Sequence, residues 1–535
     1  MSARGDVVCL VRSGLLGMVL AALSCSAIGA TEVQFPVSAF VLDGVSLLPL
    51  DQVKARLVKY TGPHQQFADL QQAAQSVQQM YAEAGYELTR VSIPPQDIHS
   101  TLVTLRVEEV RIGGIFLQGE KHHDRQNIFN TLPGLQEGAA PNVTRVGRSL
   151  RLVNQGSSKQ EQITFRQTGD PLVMDAVVSV ADAKPAHYAF TLDNSGSAST
   201  GYLRSGIALQ QDNVFNRDHV LNAQYVTSLT RPADVSIFGA SYRIPLYTLG
   251  DTVTINGGHS NVNSGTVNTT SGSYGISGSG DSAGVQYSHL LSRYASWDQH
   301  LDLAYDYHYF HSSVTSPGSS ESLVPDLVDQ PLTLTYAGSL RNATQEWSAS
   351  LSLVQNISGG HLGNAEAYQQ SGGRVGARGD FLLWRYHFSL KKNFLNDWQL
   401  HLAVDGQESR DALIAGEQFG LGGADSVRGF RERELTDDRG VRGSMEVYGP
   451  DIARHWGYAG WHVRPLLFCD GGMLWRNRVQ EGEYAHQSVG SAGLGVRVSD
   501  EHHLQLRVDY ASVFKAGGTE KKGDQMLQAG LSWVY

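Results

Sequence analysis

The feature that most constrains the fold is an alternation of polar and apolar residues that runs from Ala186 to the C-terminal Tyr535. Side chains of a β-strand point to opposite faces in turn, so each alternating run predicts a strand with one polar and one apolar face. We count sixteen runs, rich in Tyr, Phe, Trp, Thr, Gly and Ser. They begin near Ala186, Gly201, His219, Asp234, Asp251, Asp281, Trp297, Gln330, Thr344, Leu383, Trp398, Gly440, Gly460, His486, Glu501 and Gln525.

The connections between these runs alternate in length. Links after even-numbered runs are short, as in Asn342-Ala343 and Ser499-Asp500. Several links after odd-numbered runs are long and rich in Ser and Gly: Asn261 to Gly280, His311 to Asp329, Ser358 to Asp380 and Glu408 to Arg439. Short turns at one end and long loops at the other are typical of single-chain outer-membrane barrels. The sequence therefore predicts a transmembrane β-barrel of 16 antiparallel strands over residues 185–535, with both ends on the same side of the membrane.

Composition fits this fold and excludes two others. The chain is 41% hydrophobic and 18% charged, and no apolar run of 18 or more residues occurs after residue 30, which excludes a helical membrane protein. The mean hydropathy of −0.24 does not argue against a barrel, because alternating strands escape hydropathy analysis. The formal net charge is −10 and no basic block stands out, so we expect no nucleic-acid partner.

Residues 1–30 read as a secretory signal peptide. Two arginines precede an apolar stretch, Gly14 to Leu23, and small residues follow it up to Ala30. A lipoprotein site at Cys25 is the alternative, but Leu is missing from its usual position before this cysteine. Of the three cysteines only Cys469 lies after the signal, so we expect no internal disulfide.

Between the signal and the barrel, one pattern occurs twice. Each unit of about 75 residues predicts a strand, two helices and two further strands. The first unit, residues 31–108, contains an amphipathic helix from Phe67 to Ala84 that ends before Gly85. The second, residues 109–184, repeats the order. A small three-stranded sheet has an open edge that can accept an extended peptide as an added strand, and the sequence does not indicate which edge does so.

The longest link, 408–439, predicts a functional loop. From Gly420 onward it is dense in Gly and charge, and long loops without periodicity are usually functional. Gly429 permits backbone angles closed to other residues, and Arg428 offers donors that can bind a carboxylate in two-pronged fashion. A carboxylate of this kind occurs at Asp470, in a strand-like run about forty residues downstream.

Val427-Arg428-Gly429-Phe430, followed by Phe468, Asp470 and Gly472, resembles the sixth-loop and strand motifs of a known family. That family comprises the outer-membrane transporters of two-partner secretion (TpsB), of the haemolysin activator and filamentous haemagglutinin transporter type. The two small units resemble its polypeptide-transport-associated (POTRA) domains. The chain end, with apolar residues at alternate positions, looks like the terminal-strand signal for barrel assembly: Leu531, Trp533 and Tyr535.

The resemblance implies a function. POTRA-like domains in the periplasm would recognise an unfolded exoprotein, such as a haemolysin or an adhesin, and the barrel would export it to the cell surface. Its other partners would be outer-membrane lipid and the barrel-assembly machinery, and the protein would be a monomer. Two alternatives remain open: a factor that inserts other barrels into the membrane, and a passive porin, which has no need of protein-binding domains.

Other chemistry is not indicated. No P-loop, GxSxG, CxxC or HExxH motif occurs, so we expect neither an enzyme nor a cofactor. Adjacent histidines such as His122-His123 point to opposite faces of a strand, so we predict no metal site. We further expect loop residues Gly420 to Gly440 to fold into the lumen, where Arg428 meets Asp470. Phe468 and Gly472 share the lumenal face with Asp470 because strand side chains alternate.

Overall fold

The computed structural model describes residues 34–535 apart from 98–99, 263–265, 270–271, 276–278, 312–325, 371–373, 454–456, 459 and 502. The predicted signal peptide lies outside these residues. The chain divides into two compact units: the described residues up to Tyr81 with Thr89–Glu109, and Ala82–Leu88 with Val110–Tyr535. Within the described ranges, no helix has both the length and the apolar character needed to cross a membrane.

The first unit combines two helices with a three-stranded sheet, as the sequence predicts. Its elements are β1 (Phe35–Val37), β2 (Ala39–Asp43), α1 (Leu50–Leu57), β3 (Gly62–Gln65), α2 (Phe67–Glu83), β4 (Arg90–Ser92) and β5 (Leu102–Glu108). β5 lies between β2, which is parallel to it, and the antiparallel β4. Val103, Leu105 and Val107 are buried at alternate positions of β5, and they complete the core together with apolar residues of the two helices. The short pair β1–β3 was not predicted.

The second α+β segment has the same order and belongs to the unit that contains the barrel. Its elements are β6 (Arg111–Gln118), α3 (Arg125–Thr131), α4 (Val143–Val153), β7 (Lys159–Gln167) and β8 (Val173–Asp182). β8 is central, parallel to β6 and antiparallel to β7. Asp124 and Asn142 cap the two helices by accepting hydrogen bonds from backbone N–H groups three residues later. Ile112, Ile128 and Val178 lie in a continuous core between helices and sheet.

Sixteen long antiparallel strands close the barrel. In chain order the elements are β9 (Ala186–Asp193), β10 (Arg204–Val214), β11 (His219–Ser228), β12 (Ser236–Leu246), β13 (Asp251–Ser260), β14 (Thr266–Thr269), β15 (Gly272–Gly275), β16 (Gly280–Leu290), β17 (Trp297–Phe310), β18 (Leu327–Asp329), β19 (Pro331–Arg341), β20 (Gln345–Asn356), α5 (Ala365–Gln370), β21 (Leu382–Asn393), β22 (Gln399–Ser409), β23 (Phe419–Leu421), β24 (Leu435–Asp437), β25 (Arg439–Tyr448), β26 (Trp461–Trp475), β27 (His486–Asp500), β28 (Leu504–Lys515) and β29 (Gln525–Val534).

The prediction of a sixteen-stranded barrel is confirmed, and no predicted strand start differs from the observed one by more than three residues. β29 pairs with β9 and so closes the wall. The short β18 extends the wall beside β17, and β14–β15 and β23–β24 form separate two-stranded sheets. These short strands carry too few residues to show the alternation that identifies the long ones.

Strand β17 shows why the alternation predicts the barrel. Leu301, Leu303 and Tyr305 are exposed on its outer face, where lipid covers them. Asp302 and Asp306 occupy the intervening positions and are partly buried on the inner face. One strand therefore presents an apolar surface to the membrane and a polar surface to the lumen.

Short turns of the barrel hold the second α+β segment through buried polar contacts. Lys159 Nζ lies 2.8 Å from Asp218 Oδ2 and 2.5 Å from Asn127 Oδ1, and its side chain is only 3% exposed. The same Nζ lies 3.3 Å from Glu161 Oε1. Burial raises the pKa of Glu161, although the Lys159 ammonium opposes this effect. Ser149 Oγ also donates to a barrel turn, at the carbonyl of Tyr247, 3.1 Å away.

We expect Lys159→Met to destabilise the protein by about 3 kcal/mol, because removing one partner of a buried ion pair leaves an uncompensated charge. The measurement is the thermal unfolding of the whole protein in detergent micelles. Lys121→Met is the matched control, since Lys121 is exposed in the same segment. Equal unfolding temperatures for the two variants would contradict a stabilising role for the Lys159 contacts.

Candidate functional site

Loop 6, residues 410–438 between β22 and β25, folds against the inner face of β26–β28. The hairpin β23–β24 forms its base, with Phe419 opposite Asp437 and Leu421 opposite Leu435. At the tip, Val427 and Phe430 are fully buried. They pack in one apolar cluster with residues of the loop base and the barrel wall: Leu421, Leu435, Leu474, Val489 and Val513. Burial of these side chains anchors a loop that would otherwise expose them to water in the lumen.

Arg428 binds Asp470 through two side-chain hydrogen bonds. Its Nε donates to Oδ2 at 2.6 Å and its Nη2 donates to Oδ1 at 2.7 Å. The backbone N–H of Arg428 also donates to Oδ2, at 3.1 Å. The two side chains are 4% and 0% exposed. A two-pronged pair of this kind fixes both distance and orientation, and the low exposure makes each bond stronger than it would be in water.

Phe468 and Gly472 contribute shape on the same face of β26. Burial alternates along the strand, with Phe468, Asp470 and Gly472 inward and Leu467, Cys469 and Met473 exposed. The Arg428 guanidinium carbon lies 3.6 Å from the centre of the Phe468 ring, a cation–π contact. A Cβ at Gly472 would lie 2.6 Å from Cδ2 of Leu421, so the glycine leaves room for the loop base.

Gly429 gives the tip its backbone path. Its φ is +87°, in the left-handed region that favours glycine, and its N–H donates to Oε1 of Gln528 at 3.3 Å. A Cβ at this position would also come within 3.2 Å of Ala511 Cβ. The residue after Arg428 is therefore restricted both by its backbone angle and by the wall behind it.

Further charged residues that sequence reasoning missed surround Arg428. Its Nη1 donates to Glu446 Oε1 at 2.6 Å and lies 3.8 Å from Asp509 Oδ1. Arg497 in turn donates from Nη1 to Asp509 Oδ1 at 2.8 Å. We call Arg428, Phe468, Asp470, Glu446 and Asp509 the Arg428 cluster. A sequence signal for Glu446 was available. Ser444 pairs with Asp470 and Glu446 pairs with Phe468, so Glu446 lies on the same inward face as the strand motif.

The C-terminal residues lie apart from this cluster and complete the barrel wall. Leu531 pairs with Leu506 on β28 and with Leu192 on β9, and Trp533 pairs with Phe190 on β9. Trp533 and Tyr535 are exposed on the outer surface, with ring centres 6.0 Å apart in a stacked arrangement. Exposed aromatic rings at the end of a barrel strand suit the boundary between lipid and water.

Comparison with known proteins identifies the family. The family model described as haemolysin secretion/activation protein ShlB/FhaC/HecB matches residues 175–498. The chain belongs to this family. A model of the ShlB-type POTRA domain also matches residues 35–109, which cover the first α+β unit. The protein is therefore an outer-membrane transporter of the two-partner secretion type, with its barrel in the outer membrane and its POTRA domains in the periplasm, as the sequence predicts.

Individual relatives agree with this assignment. The outer membrane transporter CdiB of Dickeya dadantii (strain 3937) is 23% identical over 465 residues, which cover 80% of this chain and 74% of the relative. The solved structure of CdiB from Escherichia coli superposes with a TM-score of 0.69 at 16% identity and covers 95% of this chain and 92% of its own. CdiB from Acinetobacter baumannii gives 0.65 at 17% identity, with 94% and 90% covered. The two structures support the fold.

Proposed function

We propose that the POTRA domains capture an unfolded exoprotein by adding it as a strand, and that loop 6 then leaves the lumen to let it pass. The observation that carries this proposal is the Arg428 cluster, which holds loop 6 against the inner wall. Its ion pairs and hydrogen bonds can be replaced by contacts with water when the loop moves. A permanent plug needs no such charged contacts, since apolar packing alone would hold it. Family membership favours export over barrel insertion or passive diffusion.

Strand β7 supplies the docking edge in the second POTRA domain. Asn154 accepts a hydrogen bond from the N–H of Glu161 and donates one to its C=O, so the backbone of Glu161 faces away from β8. Because strand backbones alternate, Ile163 and Phe165 present their N–H and C=O groups to the same side. In the described part of the sheet β7 is an edge strand, and an extended peptide can pair with these groups.

The opposite edge is less suitable. On β6, Ile112 exchanges backbone hydrogen bonds with Gly138 and Ala139, and the N–H of Ile115 donates to the Glu137 carboxylate. A register shift between Ile112 and Ile115 also bends this strand. Covering segments and irregular register both hinder the addition of another strand.

Export requires a source of free energy, and the periplasm supplies no ATP. We propose that folding of the exoprotein outside the cell drives its movement, because folded chain cannot return through the barrel. In this proposal the POTRA domains bind the exoprotein and loop 6 opens and closes the pore. The transporter performs no chemistry on its substrate. We further propose that it acts as a monomer.

We expect Phe165→Pro to reduce export of the exoprotein about tenfold, because proline removes an outward N–H that the added strand needs. Pairing of β7 with β8 should survive, since this N–H does not point to β8. The measurement is the amount of exoprotein outside cells that produce both proteins, with barrel levels checked in the outer membrane.

Phe165→Ala is the matched control for this prediction. It also loses the ring, which packs against the domain core, but it keeps the N–H. Export by Phe165→Ala should therefore exceed export by Phe165→Pro. Equal export by the two variants would show that the outer edge of β7 does not form the docking contact.

A further inference from the structure

A second group of buried charged residues joins loop 6 to the barrel wall at the outer end of the barrel. It consists of His308 on β17, Asp329 on β18 and Glu417 in loop 6, and their donor atoms all lie within 4.8 Å of one another. His308 Nδ1 is 2.8 Å from Asp329 Oδ1 and 3.7 Å from Glu417 Oε1. Three separate segments of the chain therefore bring one imidazole and two carboxylates to one point.

The state of Asp329 indicates a missing partner at this point. The residue is 1% exposed, and among the described residues neither of its carboxylate oxygens accepts a hydrogen bond of good geometry. Glu417 is 4% exposed beside it. Two buried carboxylates at close range are costly unless a cation compensates them. Among the described residues, His308 faces both acids, and Arg385 pairs with Glu417 from the other side.

The distances suit a small divalent cation. Zinc binds imidazole nitrogen and carboxylate oxygen about 2.1 Å away, which in a tetrahedron places ligand atoms about 3.4 Å apart. The two measured separations, 2.8 Å and 3.7 Å, lie on either side of this value. The third separation, between the two carboxylates, is at most 4.8 Å, so small side-chain rotations would bring all three donors into place. Three protein ligands leave the fourth position to water.

An ion can reach the site, and one ligand is already oriented. A cavity of about 320 Å³ is lined by His308 and Glu417, together with Phe310 and Arg385. Arg385 donates from Nη2 to Glu417 Oε2 at 2.7 Å, which leaves Oε1 directed at His308. Such outer contacts orient ligands at metal sites.

We propose that His308, Asp329 and Glu417 bind a divalent cation of the zinc class. The bound ion fastens the part of loop 6 before β23, which contains Glu417, to the barrel wall. The sequence prediction of no metal site considered only adjacent histidines, and these three residues are more than a hundred positions apart at the extremes. The binding site stands on its own geometry, whereas its effect on pore opening rests on the proposed export function.

Zinc titration of the full-length protein in detergent, after treatment with EDTA, tests the site. We expect one Zn²⁺ per chain by calorimetry, confirmed by metal analysis. His308→Ala and Glu417→Gln should each weaken binding by more than about 100-fold, the upper limit of the loss for changes in outer contacts. His387→Ala is the matched control, because His387 Nδ1 faces a single carboxylate, Asp405, at 2.7 Å on the barrel wall. Its affinity should equal that of the wild type.

Absence of stoichiometric binding, or equal binding by all variants, would overturn the site. A second measurement separates the site from the export proposal: single-channel conductance in planar bilayers. Zn²⁺ should reduce pore opening of the wild type, EDTA should restore it, and Glu417→Gln should not respond. Stoichiometric binding without a change in opening would overturn the fastening of loop 6 and leave the export proposal standing.

Discussion

Replacing Arg428 with Ala should reduce export of the exoprotein at least about tenfold while the barrel stays in the outer membrane. The substitution removes the two-pronged contact with Asp470 and the ring contact with Phe468. It also leaves the buried Asp470 without its cation, while Glu446 and Asp509 keep Arg497 as a shared cation. Loss of one partner from a buried ion pair costs about 3–5 kcal/mol, and about 1.4 kcal/mol already changes an equilibrium tenfold.

Export and conductance report different consequences of this change. The loop equilibrium should shift away from the inner wall, so pore opening in planar bilayers should become more frequent. Export should fall because a loop without its docking site cannot return to a defined position. Arg428→Lys should restore little, since an ammonium lacks the planar fork that matches a carboxylate. Arg410→Ala, at an exposed position of the same loop, is the control and should export normally.

A double-mutant cycle decides whether Arg428 and Asp470 act together. Asp470→Ala alone should reduce export sharply but less than Arg428→Ala, because Arg428 keeps its contact with Glu446. The double variant should be no worse than Arg428→Ala. Additive losses would show that the two residues act independently, and full export by Arg428→Ala would exclude the cluster as the working contact.

Periodic features of this protein were predictable from sequence. Period-two alternation placed Phe468, Asp470 and Gly472 on one face of β26, and the burial along that strand has the same alternation. The long amphipathic helix α2 begins at the predicted Phe67. Both features depend on neighbours in the chain, and a period is read directly from local residues.

Features that depend on barrel closure were not predictable. Asp509 meets Arg428 because β26 and β28 curve around one lumen, and a single sequence does not indicate that curvature. His308 and Glu417 are brought together by the path of loop 6. The hairpin β23–β24 within that loop has strands of three residues, which are too short to show alternation. Long-range contacts between charged residues therefore escape sequence reasoning where local periodicity does not.

Deletion of Leu527 to Tyr535 should abolish the folded barrel in the outer membrane. The deletion removes all pairing of β29 with β9, from Gly530 to Val534, and nearly all pairing with β28. Backbone N–H and C=O groups on both flanking strands would then face lipid without partners. Each unpaired group costs several kcal/mol in a membrane. The summed cost of a few such groups exceeds the free energy of unfolding of most proteins.

A deletion of equal length separates closure from chain length. Removing Thr266 to Tyr274 also takes out nine residues, and it deletes β14 and most of β15, which form a separate two-stranded sheet outside the barrel wall. That variant should insert normally and should migrate differently in gels before and after heating, as an intact barrel does. A heat-modifiable barrel from the chain that lacks Leu527 to Tyr535 would contradict the closing role of β29, because the remaining strands would then have to close without it.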